Sequence, residues 1–269
     1  MSTLDAIVPN IRRHVDDLGD STDGMLSSIV IYTLVGSILG FQCYNSALNF
    51  APCPKKYEGK DRYKWRNIMG SFLHAIISGT SSLYCLYSSP EILDDLIHNY
   101  NVHCEVLVAL STGYFVYDLF DILAYKRLAN TWPLLLHHVV IFCCFGIAMY
   151  TKNYLGYALV SLTAETNSIF LHARQLLLMV NTSKQSKLYL VNSIVNIITF
   201  LVFRFGVLLW MGWWLTKHAD EVPFLLVAVA TSGLVIMIVV NIVLFYRLLM
   251  SDFILRSDRQ PKDTSILDK

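Results

Sequence analysis

Charge is scarce in this sequence. Only 15% of its 269 residues are Asp, Glu, Lys or Arg, where a soluble domain carries about a quarter. With 55% hydrophobic residues and a mean hydropathy of +0.49, the composition excludes an ordinary soluble fold. The six cysteines show no metal-type spacing, so most are expected to be packing residues and no metal centre is expected. No internal repeat of the kind that marks many transporters is present, nor any low-complexity tract. The first 25 residues hold five Asp and no apolar run behind a basic start, so they are not expected to act as a cleavable signal peptide. Net charge is only +1, and nothing points to a nucleic-acid partner.

What the sequence does hold is long apolar stretches. Crossing a ~30 Å hydrocarbon layer takes about 20 residues, and suitable runs lie at 26–50, 66–89, 102–124, 132–151, 154–179, 190–214 and 222–248. The expected fold is therefore all-α: a polytopic membrane protein of seven transmembrane helices, with a tight hairpin at Lys152 and Asn153. Basic residues concentrate on the cytosolic side of membrane proteins. With the N-terminus outside, Lys55, Lys56, Lys60, Arg62, Lys64, Arg66, Lys126, Arg127, Lys184, Lys187, Arg247, Arg256, Arg259, Lys262 and Lys269 fall inside; only Arg12, Arg13, Lys152 and Lys217 fall outside. That asymmetry predicts an outside N-terminus and a cytosolic C-terminus. The Asn181-Thr182-Ser183 sequon then lies on the cytosolic side and is expected to stay unglycosylated, while Cys53 is a palmitoylation candidate.

Ionisable side chains at membrane depth cost a few kcal/mol each, so they turn toward a bundle interior. Tyr114, Asp118, Asp121 and Tyr125 follow intervals of four, three and four along one helical face; the alternative for Asp121 is to reach the interface or pair with Lys126 and Arg127 near the helix end. The run "LLLHHVVIF" sets His137 and His138 at the depth of Asp118, about 100° apart around their helix, so one imidazole at most faces a carboxylate squarely. Imidazole near neutrality can carry a proton or attack an acyl group; it can also simply lock helices together. Ser161, Glu165, Ser168, His172 and Gln175 form another polar stripe. Glu165 and Arg204 share a depth and are expected to be paired directly or joined through one cavity. Ser71, His74 and Ser78, and Asn192, Asn196 and Thr199, complete the polar positions, which read as interhelical hydrogen bonds as readily as ligand contacts. The polar interior is expected to be weighted toward the cytosolic half and to open there.

Several of these motifs combine in a familiar way: Trp65-x-Asn67-x-x-x-Ser71-Phe72-x-His74-x-x-x-Ser78-Gly79, Gly113-Tyr114-Phe115-x-x-Asp118-x-x-Asp121, His137-His138, Glu165 with Ile169-Phe170-Leu171 and Arg174, Phe203-Arg204, and Arg247-Leu248-Leu249-x-Ser251-Asp252-Phe253. Together they resemble the TLC-domain family over residues 60–253. The resemblance implies six helices around a central cavity at 60–253 with a first anchor at 26–50 added, and the charge pattern leaves a segment 1–25 outside and a cytosolic tail at 254–269. Ceramide synthases share the domain and pair two histidines with a His-Asp-x-x-Asp segment on the next helix to move an acyl chain from coenzyme A. Here the corresponding positions read Ala164, Glu165, Thr166, Asn167 and Ser168, so one acid survives and ceramide synthesis is not expected.

The subgroup this sequence most resembles implies control of membrane phospholipid composition and fluidity, limiting polyunsaturated-chain phospholipids, at the plasma membrane, with the endoplasmic reticulum as alternative. The expectation is thus a lipid-homeostasis protein that binds membrane lipid or an acyl donor in an intramembrane cavity, with no resident cofactor. The alternative is an acyltransferase using acyl-coenzyme A as co-substrate, with His137, His138, Asp118 and Glu165 as its catalytic set. On either reading His74, Tyr114, Asp121, Ser168, His172, Asn196 and Arg204 are expected to line the cavity.

Overall fold

A computed structural model describes residues 28–124 and 132–254, and within them every regular element is helical. In chain order these are α1 (Ser28–Ala47), α2 (Arg62–Ser88), α3 (Val102–Ala124), α4 (Trp132–Thr151), α5 (Leu155–Leu162), α6 (Glu165–Met179), α7 (Lys187–Phe200), α8 (Val207–Lys217) and α9 (Phe224–Leu249). A wide π turn over Leu201–Gly206 joins α7 to α8 in one long rod, and a second, Met250–Ile254, follows α9. Among the described residues, five stretches are long and apolar enough to cross a membrane: Ser28–Ala47, Val102–Ala124, Leu134–Thr151, Lys187–Lys217 and Phe224–Asp252. The α2 and α5–α6 regions fall outside that group, because α2 carries several polar residues and the α5–α6 stretch is interrupted.

That interruption corrects the expected continuous helix over 154–179. Ser161 Oγ donates to the Ala158 carbonyl and Thr163 Oγ1 to the Val160 carbonyl, both at 2.7 Å. Hydroxyls that bond back to preceding carbonyls compete with the helical ladder. The backbone tightens accordingly: Thr163, Ala164, Thr166 and Asn167 each donate to a carbonyl three residues earlier. The hairpin before α5 is present as expected, with Lys152 and Tyr154 in the left-handed region at φ 56° and 63°.

Gly79 shows why the break can sit where it does. A Cβ there would lie 2.8 Å from the Thr166 nitrogen and 3.0 Å from the Glu165 carbonyl carbon, both backbone. Helix α2 therefore presses against the first turn of α6 with no room for a side chain. Gly79→Ala should push Glu165 out of place and destabilise the protein by about 1–3 kcal/mol, the usual cost of overpacking. A lowered melting midpoint of the detergent-solubilised protein would register it. A midpoint equal to that of the unaltered protein would mean that the two helices can separate freely.

Candidate functional site

The first polar constellation joins α2, α3 and α4. His138 is 1% exposed, and its Nδ1 lies 2.7 Å from the Leu134 carbonyl oxygen one turn back. A carbonyl only accepts, so Nδ1 carries a proton. Nε2 faces the Asp118 carboxylate at 3.3 Å. With the proton on Nδ1 a neutral ring presents Nε2 as an acceptor, so a hydrogen bond to this carboxylate needs a further proton on one of the two. The Asn67 amide steadies the arrangement, donating to Asp118 Oδ1 at 2.9 Å and to Asp121 Oδ2 at 3.2 Å. The alternative partners of Asp121, Lys126 and Arg127, lie outside the described residues, as does Tyr125.

The second constellation is built around Arg204, in the π turn between α7 and α8. Its Nε donates to Asn167 Oδ1 at 2.7 Å, Nη1 to Asn241 Oδ1 at 2.8 Å and Nη2 to Ser168 Oγ at 2.8 Å. The guanidinium also lies 5.3 Å from the Phe200 ring centroid. Asn167 is held in turn by donating to the Asn196 side chain and carbonyl at 2.9 Å and to Thr199 Oγ1 at 3.0 Å. All three acceptors of Arg204 are neutral. Among the described residues Glu165 forms no ion pair with it, so of the two expected relations between these residues, the shared cavity is the one found.

That cavity encloses about 150 Å³ between α4, α5, α6, α8 and α9, some ten times the space that one water needs. His137, Glu165, Arg204 and Asn241 form its polar floor; Val140, Ile141, Phe145, Leu208, Met211 and Leu234 belong to its apolar wall. The lining continues to Tyr154, Trp214 and Val222, beside the Lys152–Asn153 hairpin. The expected opening is cytosolic, whereas the expected topology assigns this end to the outside.

A second pocket, of about 270 Å³, lies at the opposite end and is lined by Tyr57, Lys64, Asn67, Asp121 and Gln175 among others. Asp118 and His138 stand between the two. Phe115, which lines the main cavity, meets both imidazoles edge-on, at 5.4 Å from His137 and 5.9 Å from His138. Only His137 of the pair lines the cavity.

Other expected lining residues have different roles. His74 stacks on Tyr114 with centroids 3.9 Å apart, and Phe41 of α1 packs edge-on against Tyr114. The His74 Nε2 bonds Ser78 Oγ at 2.8 Å, and Ser78 Oγ bonds Ser111 Oγ at 2.9 Å. Tyr114 donates to Ser71 Oγ at 2.9 Å. These contacts fasten α1, α2 and α3 together, and neither residue borders either space. Asp121 borders the second pocket. Ser168 and Asn196 lie behind the floor, as supports of Arg204 and Asn167. His172 borders neither space and forms no hydrogen bond among the described residues. Among those residues, no three His, Cys, Asp or Glu side chains come together as a metal site.

Asn67, Asn167 and Asn241 carry much of this geometry and were not expected to. For Asn241 a signal exists, a lone amide in the run "IMIVVNIVLF". Nothing in the spacing of Asn167 distinguishes it from the stripe of Ser161, Glu165 and Ser168 on its neighbouring face.

Comparison with known proteins adds the family context. The TLC domain matches residues 64–250. TLC domain-containing protein 2 of Danio rerio is 42% identical over 229 residues, covering 85% of this chain and 92% of the relative. Its counterpart of the same name in Homo sapiens is 36% identical, covering 84% of each chain. TLC domain-containing protein 1 of Gallus gallus is 30% identical, covering 81% of this chain and 86% of the relative. No solved structure matches.

Proposed function

Since this chain belongs to the TLC-domain family of membrane proteins, we propose that it regulates the acyl composition of membrane phospholipids, and with it fluidity, by holding a lipid or acyl donor in the main cavity. On this reading it limits polyunsaturated-chain phospholipids, resides in the plasma membrane with its N-terminus outside, and has membrane lipids as its partners. The observation that carries the reading is the pairing of an apolar wall with a polar floor of His137, Glu165, Arg204 and Asn241.

An acyl chain that enters from the bilayer gains little from apolar burial, because it leaves a solvent as apolar as the wall. Selection must then come from shape and from the polar floor. A diacyl phospholipid keeps its head group at the interface, whereas the floor here lies within the bundle. The arrangement therefore suits a chain whose polar end, a carboxylate or acyl carbonyl, points inward to the guanidinium.

Filling the wall tests this. Ala230→Phe, at a lining position, should lower co-purified or photo-crosslinked acyl lipid about ten-fold, equivalent to 1.4 kcal/mol, while thermal stability changes little. Cells lacking the protein should shift toward polyunsaturated phospholipids, and the filled variant should fail to reverse the shift. Equal lipid occupancy in the filled and unfilled proteins would end the proposal.

A second reading, acyl transfer from acyl-coenzyme A to a lipid acceptor, is favoured by the approach of His138 Nε2 to the Asp118 carboxylate at 3.3 Å. With His138 buried against that carboxylate, His137 becomes the imidazole that touches the acyl group, and His138 positions it. Labelled acyl-coenzyme A with lysophospholipids separates the readings: turnover lost in His137→Ala supports transfer, and no turnover in the unaltered protein leaves binding alone.

A further inference from the structure

The proposed lipid binding makes no use of the end of the bundle where α2 leads into α3, yet that end holds two buried thiols, one on each helix. Cys85 lies one turn before the end of α2 and Cys104 in the first turn of α3; they are 7% and 1% exposed. Both side chains belong to one packed cluster of buried residues. We propose that Cys85 and Cys104 form a disulfide that closes the α2–α3 loop on the outer face of the membrane.

Three further observations support it. The intervening segment is already folded down: Ile92, Leu96 and Ile97 are almost fully buried, and the Tyr154 N–H donates to the Ile97 carbonyl at 2.7 Å. The two loop ends are tied side by side, since the Asn101 amide donates to Ser89 Oγ at 3.2 Å. Linking the sulfurs would therefore fix a geometry that non-covalent contacts already hold. Finally, the charge asymmetry places this loop on the non-cytosolic side, where disulfides form and persist. The other cysteines lack such a partner position: Cys43 and Cys143 are exposed, Cys53 sits toward the opposite end, and Cys144 lines the main cavity.

The chemistry balances by thiol–disulfide exchange. The two thiols lose two protons and two electrons as the S–S bond forms; a disulfide of an oxidising carrier protein in the secretory compartment accepts them and leaves as a dithiol.

Counting reactive thiols tests the inference on the full chain, made in eukaryotic membranes, trapped with N-ethylmaleimide-free acid, denatured and labelled with a maleimide polymer. Of six cysteines, six less the bonded pair, or four, should react without reductant, and all six after reduction. Cys85→Ala should leave all five remaining thiols reactive, whereas Cys43→Ala should leave only three of its five. Six reactive thiols in the unreduced, unaltered protein would overturn the proposal, as would a protected pair that survives Cys85→Ala.

Discussion

Arg204→Leu should cost this protein most of its folded yield. The substitution strips the donors from Asn167 Oδ1, Asn241 Oδ1 and Ser168 Oγ at once, on two different helices. Interhelical hydrogen bonds in membranes average about 0.6 kcal/mol and reach about 1.7, so three of them sum to roughly 2–5 kcal/mol, a large share of a typical total stability. Lysine should rescue only part of this, because a single ammonium cannot present the planar fork that reaches three separate acceptors. Fluorescence-detected size exclusion after a heat ramp would rank the unaltered protein above Arg204→Lys and Arg204→Lys above Arg204→Leu. An unchanged midpoint in the leucine variant would refute the structural role given to the guanidinium.

The second large effect is expected at Asp252, just beyond α9. Its carboxylate is 2% exposed and accepts from Arg174 of α6 through both Nε and Nη2, the former at 2.6 Å. Tyr189 of α7 donates to it at 2.7 Å and Ser193 at 3.3 Å, and Lys184 lies 3.7 Å away. This knot ties the end of the last helix to α6 and α7. Arg174→Leu or Asp252→Leu alone leaves a buried charge without its main partner, and such losses run to about 3–5 kcal/mol. The double leucine variant should be more stable than either single one, because two apolar side chains remove both desolvation penalties together. Strictly additive losses in the double-variant cycle would show that the two residues act independently.

Both effects depend on residues whose presence in the sequence was obvious and whose partners were not. Arg204 and Glu165, which share a depth, were expected to be paired directly or joined through one cavity, and the second holds. The structure compensates the guanidinium with amides and a hydroxyl, and leaves Glu165 beside it on the cavity floor. His137 and His138 are a similar case. Their adjacency requires that they diverge by about 100°, but whichever of the two meets Asp118 depends on how α4 is rotated against α3.

The amino-acid order by itself determined the membrane class, the approximate extent of the apolar stretches, and the set of polar residues that must avoid lipid. These are local properties: hydropathy is summed along the chain, and a charge at hydrocarbon depth is penalised wherever its partners lie. Tertiary packing alone decided that α5 and α6 are separate helices, that His138 rather than His137 holds the carboxylate, and that the main cavity lies toward the Lys152–Asn153 hairpin. Each of these turns on helix rotation, on sub-turn register or on close approaches such as Gly79 against Thr166, which spacing within one helix cannot specify.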